Sequence, residues 1–84
     1  MRNMKYVLNN ETDEFVIIPD TMHHSDVRGD WTNAGFIRFT TDEKDECGNI
    51  IIKPICWGES VSLQLKSRED EDAAIIYRGM KDRW

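Results

Sequence analysis

The chain has 84 residues, of which 11 are basic and 16 acidic, so its formal net charge is -5 at pH 7. A chain of this length has room for one small hydrophobic core, and we expect residues 1–84 to form a single domain. The negative charge argues against direct nucleic-acid binding. Apolar runs such as residues 15–18 are far shorter than a membrane-spanning helix, so no membrane partner is expected.

The N-terminal part of the chain predicts two strands. Residues 5–8 are β-prone and precede a cluster of turn formers, whereas residues 14–18 form a continuous apolar run that ends at Pro19. Uninterrupted apolar runs are typical of strands that are buried on both faces. We therefore expect the second strand to lie at the centre of the sheet.

Residues 20–35 form a long irregular segment. Connections of this length are uncommon in compact domains, so the segment either contains a helical turn or has a function. It also includes the stretch that most resembles a chemical site, "HHSDVRGDW" at residues 23–31.

Residues 36–41 and 50–57 predict the third and fourth strands, which the polar loop 42–49 joins into an antiparallel hairpin. Pro54 cannot donate a ladder hydrogen bond to a neighbouring strand. Strand four is therefore expected to be an edge strand or to contain a bulge at this position.

Residues 59–67 alternate apolar and polar side chains. This period of two predicts a fifth, half-buried strand in which Val61, Leu63 and Leu65 share one face.

After Ser67 the hydrophobic period changes and predicts a helix over residues 68–80. Ser67 is a typical N-cap residue, and the acids at 69–72 lie where the helix dipole favours negative charge. We expect the helix to fray near Gly79, because glycine is a weak helix former. The apolar stripe consists of Ala73, Ile76, Tyr77 and Met80.

These elements predict an α+β fold, with a small, mostly antiparallel sheet of about five strands and one C-terminal amphipathic helix that covers one face. The alternative is a barrel-like closure of the same strands around one core.

The first ten residues lack the apolar stretch of a secretory signal, so we expect a soluble, cytoplasmic protein. An extended strand between Cys47 and Cys56 holds the two thiols too far apart for a disulfide bond or a shared zinc ion.

His23 and His24 are adjacent and have Asp20, Asp26 and Asp30 nearby. Adjacent side chains point apart, and the ligand spacings of known zinc sites are absent, so we expect two solvated loop histidines and no metal or cofactor. A histidine beside an aspartate is the minimum for proton transfer, but no nucleophile motif accompanies it. The sequence therefore favours a protein that is not an enzyme.

Residues 28–30 form the tripeptide "RGD", which some integrin ligands use. A match of only three residues occurs too often by chance to indicate receptor binding. We expect a tight turn at Gly29 with a charge contact between Arg28 and Asp30. Trp31 is expected to pack the loop onto the sheet, and Trp57 has the same expected role. The alternative is that one of these tryptophans is partly exposed and anchors a partner together with Arg28.

Our functional prediction is a noncatalytic protein-binding module of unknown process that contacts its partner through residues 20–35. A homo-oligomer is compatible with the sequence. The second hypothesis is an acidic inhibitor or regulator of a nucleic-acid-binding protein that acts through the acids at 42–46. The third is a small hydrolase or a metal site around the two histidines. The predicted partner-binding residues are His23, His24, Arg28, Asp30 and Trp31.

Overall fold

The computed structural model describes residues 3–82. In chain order the elements are β1 (Met4–Asn9), β2 (Glu14–Ile18), a 3₁₀ helix (His24–Asp26), β3 (Asn33–Lys44), β4 (Ile50–Trp57), β5 (Glu59–Ser60), β6 (Leu65–Lys66) and α1 (Asp70–Asp82). The longer strands form a four-stranded antiparallel sheet of order β2-β1-β3-β4, and β5 pairs with β6 in a small second sheet. This architecture confirms the predicted α+β fold.

The hydrophobic core lies between the sheet and α1. Tyr6 is opposite Ile17 on β2, and Ile37 on β3 is opposite Cys56 on β4, so alternation along each strand directs these side chains to one face. The helix packs Ile76 onto this face. The buried core cluster consists of Tyr6, Leu8, Ile37, Cys56 and Ile76.

The prediction that the second strand is central is wrong, although its bounds are correct. β2 pairs only with β1 in the described sheet and is therefore an edge strand. The apolar side chains of β2 alternate between the two faces of the sheet. Phe15 and Ile17 pack against the core on the helix side, whereas Val16 on the opposite side is 37% exposed. A continuous apolar run therefore does not show which strands lie alongside, nor that every side chain of the run is covered.

The hairpin of β3 and β4 is confirmed, and β4 is the other edge strand, as the proline predicted. β3 is longer than expected at both ends. A register shift between Thr40 and Glu43 lets it continue into the segment that the sequence indicated as loop.

The predicted fifth strand is wrong. Residues 61–64 form a turn between β5 and β6, and Val61, expected in the core, is 83% exposed. The reason is local, because the buried Ser60 hydroxyl accepts a hydrogen bond from the Leu63 backbone N–H at 3.2 Å and closes the turn. Gln64 adopts a positive φ of 55°, which ends the extended conformation that the alternation predicted.

The C-terminal helix is confirmed, with bounds shifted towards the C-terminus by about two residues. Ser67 lies before the helix and its hydroxyl accepts the backbone N–H of Glu69 at 2.9 Å. The expected fraying at Gly79 is wrong, since the helix continues to Asp82. The Phe15 ring accounts for a glycine at this position, because a Cβ at position 79 would lie 2.5 Å from that ring.

Within residues 3–82, the helical segments fall short of the length and apolar character needed to cross a membrane.

Candidate functional site

Residues 19–32 connect β2 to β3 on the sheet face opposite α1. On this face Val7 and Ala34 are opposite each other and buried, and the 3₁₀ helix of the connection contacts β1. The connection is tied to the sheet by polar contacts: Lys5 Nζ donates to the Met22 carbonyl at 2.8 Å, and the Thr32 N–H donates to the Leu8 carbonyl at 2.9 Å. The long irregular segment thus contains the helical turn that its length suggested.

The two histidines have different environments. His24 is only 5% exposed, and its Nε2 donates to the Gly35 carbonyl at 2.8 Å, which assigns the ring proton to that nitrogen. Its ring also meets Phe36 edge-on, with centroids 6.0 Å apart. The prediction of two solvated histidines is therefore wrong for His24 and correct for His23, which is exposed.

The metal and hydrolase hypotheses both depend on which side chains lie close to the two histidines. The His23 backbone N–H donates to the Asp26 carboxylate at 3.1 Å, so this acid closes the turn. Across residues 3–82 there is no group of three or more histidine, cysteine or acidic side chains placed to hold a metal ion.

The remaining predicted residues, Arg28, Asp30 and Trp31, lie further along the connection. Arg28 and Asp30 are exposed, and the expected ion pair between them is absent from the described residues. Trp31 is half-buried: its Nε1 donates to the Val27 carbonyl at 3.0 Å. Its ring covers Gly29, where a Cβ would lie 2.7 Å from the ring, and φ of 154° is positive. Gly29 lies in a bend of the connection and accommodates the indole, whereas the predicted tight turn is not formed.

A groove of about 580 Å³ opens between this connection and the turn that joins β5 to β6. Phe36 lies within it and stacks on Trp57 of β4, with ring centroids 6.1 Å apart and an angle of 27° between the rings. Gly58 allows the turn to approach Phe36, since a Cβ there would lie 2.9 Å from the ring. The groove is lined by Lys5, His23, His24, Phe36, Gly58, Glu59, Val61 and Ser62.

The groove brings together His23 and His24, whereas the other three predicted residues do not line it. Sequence reasoning missed Phe36 and the turn at residues 58–62 as site residues. Phe36 was missed because its local sequence is that of an ordinary strand residue. Val61 was missed because it belongs to an alternating pattern that predicts burial. Trp57 followed by Gly58 is the one local signal of a close approach in this region.

A second cluster of reactive groups is buried between β1, β4 and α1. Asp72 lies fully inside the protein, 2.6 Å from the Tyr6 hydroxyl, and accepts the backbone N–H and Nε–H of Arg68, both at 3.0 Å. Burial raises the pKa of Cys56 to about 12 and raises the pKa of Tyr6 above its ordinary range. Protonated groups without solvent access are suited to holding the helix and not to nucleophilic chemistry.

Two of the acids at the hairpin tip, residues 42–46, make contacts within the protein itself. Asp45 accepts the backbone N–H groups of Cys47 and Asn49, both at 2.9 Å, and so shapes the turn. Glu43 forms an ion pair with Lys53 of β4. Both cysteines are free thiols, as expected, with Cys47 exposed and Cys56 buried.

No known protein family, curated protein or solved structure matches this chain. The class of protein that the chain itself defines is a small α+β domain with an open groove on the sheet face opposite its helix.

Proposed function

We propose that the protein is a noncatalytic module that binds another protein through the groove and the adjoining residues 20–35. The observation that carries this proposal is Val61, an aliphatic side chain that is 83% exposed in the lining of a groove that also contains an aromatic ring. Removing apolar surface from water is the main favourable term in protein association. A partner side chain in contact with Val61 and Phe36 gains that term.

The surroundings of the groove support the same conclusion. His24 and Trp57 hold Phe36 by ring contacts, so the groove is largely formed before a partner arrives. His23, Glu59 and Ser62 supply polar groups at its margin. An apolar centre with a polar rim is the usual composition of a protein interface.

The test is affinity capture with three forms of the full chain. Wild type and Val16→Asp are expected to retain the same partner, whereas Val61→Asp loses it. Val16 is the matched control, because it is a valine that is 37% exposed on the edge strand β2, outside the groove lining. Undiminished capture by Val61→Asp, or loss in Val16→Asp alone, would overturn the proposal.

Salt distinguishes this function from the acidic-regulator hypothesis. Contacts between exposed charges are screened over about 10 Å at 0.1 M salt, whereas apolar contacts are not. Capture through the groove is expected to survive high salt and replacement of Asp42 and Glu46 by their amides. Loss under both conditions would favour the acidic hairpin as the binding element.

A further inference from the structure

An open, partly apolar cleft follows the edge of β4, on the helix side of the sheet and so on the opposite face from the groove. Two cavities of about 170 and 230 Å³ lie between β4 and α1, and both contact Tyr77. Pro54 and Ala74 bound the first cavity, and Ile50 and Ile52 bound the second. Ile50 is 60% exposed. The cleft thus presents two neighbouring apolar compartments separated by one tyrosine.

The backbone beside this cleft has unused hydrogen-bonding groups. In the described sheet β4 pairs only with β3, and Pro54 is opposite Phe39 in that pairing. Proline is tolerated in an edge strand where its nitrogen faces away from the neighbouring strand. Peptide groups alternate in direction along a strand, so Ile52 and Ile50 direct their N–H and C=O groups outward as well.

We infer that the β4 edge accepts an extended segment of a partner protein as an added strand, independently of the groove. A second extended backbone can pair with the outward donors and acceptors of β4 along the strand, in place of water. Alternate side chains of that segment, at positions i and i+2, point to the helix side and enter the two compartments beside Tyr77. The cleft therefore selects large apolar residues at both positions.

Charge complementarity identifies the flanks of this segment. Asp45 and Asp70 lie at opposite ends of the cleft, and Glu43 pairs with Lys53 beside it. These three acids outnumber the two lysines of the cleft, Lys53 and Lys81, of which Lys81 lies over the Tyr77 ring. The partner segment consequently carries lysine or arginine on either side of its apolar residues. A second copy of this chain fits less well, because antiparallel pairing of two β4 strands brings the Asp45 end of each cleft towards the Asp70 end of the other, and like charges then repel.

The probe is a displayed library of random peptides of about ten residues, long enough for one strand, selected against the full chain. Enriched peptides are expected to have apolar residues at i and i+2, basic flanks and no proline between them. On titration into the labelled protein, the amide signals of Ile50 and Ile52 should shift, and the Ile52 amide should exchange its hydrogen more slowly.

Two variants test the assignment. Ile52→Pro removes an outward backbone N–H, because proline has none, as at Pro54. Ala74→Glu places a charge in the first compartment from an exposed position on the helix. Each is expected to weaken peptide binding about tenfold. Val61→Asp, the groove variant, should leave binding unchanged, which separates this proposal from the previous one.

Four outcomes would overturn the inference. The first is a selection that yields no peptide shifting β4 signals, and the second is enrichment of acidic flanks. The third is a peptide affinity that neither cleft variant lowers but that Val61→Asp does lower. The fourth is a dimer, detected by light scattering, that Ile52→Pro dissociates, because that result would assign the edge to a second copy.

Discussion

The hydroxyl of Tyr6 and the carboxylate of Asp72 form a hydrogen bond of 2.6 Å that joins β1 to α1 inside the core. The same carboxylate binds Arg68, which lies just before the helix, and the Ser67 hydroxyl lies 2.6 Å from that of Tyr6. A buried carboxylate is costly unless each of its oxygens has a donor, and here both oxygens have one. The helix is therefore placed on the sheet by a polar contact as well as by apolar packing.

Replacing Tyr6 by Phe is expected to lower the free energy of unfolding by about 2 kcal/mol, because the buried carboxylate loses one donor and nothing replaces it. Urea denaturation measures the change. Tyr77→Phe is the matched control, since this half-buried tyrosine lines the open cleft beside β4 and should change stability by less than about 0.5 kcal/mol. Equal effects of the two substitutions would contradict a special role for the Tyr6 contact.

Alkaline pH is expected to destabilise the fold. Burial raises the pKa of Cys56 from its ordinary value of 9.0 to about 12, and it raises the pKa of Tyr6 above 10.0. The unfolded chain therefore releases these protons at lower pH than the folded chain. The stability that these groups contribute is complete below about pH 9 and is lost as the pH rises above it.

Urea denaturation between about pH 8 and pH 11 measures this dependence. Cys56→Ala and Tyr6→Phe should each flatten the decline, whereas Cys47→Ala, which removes an exposed thiol, should not. A decline that is equally steep in all three variants would show that other groups cause it.

The strand bounds were predictable where the chain has local stop signals. β2 ends before Pro19 and β4 ends at Trp57 before Gly58, as the sequence indicated. The neighbours of each strand were not predictable, because hydrophobic period reports burial and not strand order. The groove was predictable only through its histidines. It also needs Phe36 and Val61, which are distant in sequence and whose local patterns indicate core positions.

The two histidines should differ in their effect on stability. His24→Ala is expected to cost about 2 kcal/mol or more, since it leaves the buried Gly35 carbonyl without its donor and opens space beside Phe36. His23→Ala should cost less than about 0.5 kcal/mol, as expected for an exposed side chain. His24→Gln offers an amide N–H in a similar position and should recover part of the loss. Similar losses from both alanine variants would contradict the assignment.

Gly79→Ala should lower stability, although alanine in a helix is favoured over glycine by about 1 kcal/mol. The added methyl group would lie 2.5 Å from the Phe15 ring, so β2 and α1 must separate or the ring must move, and overpacking of this kind costs about 1–3 kcal/mol. Thermal and urea denaturation measure the net change. Combining Gly79→Ala with Phe15→Leu should be less destabilising than the sum of the two single changes, because the smaller side chain makes room for the methyl group. Stabilisation by Gly79→Ala alone would show that the ring moves freely and that the glycine is not required for this contact.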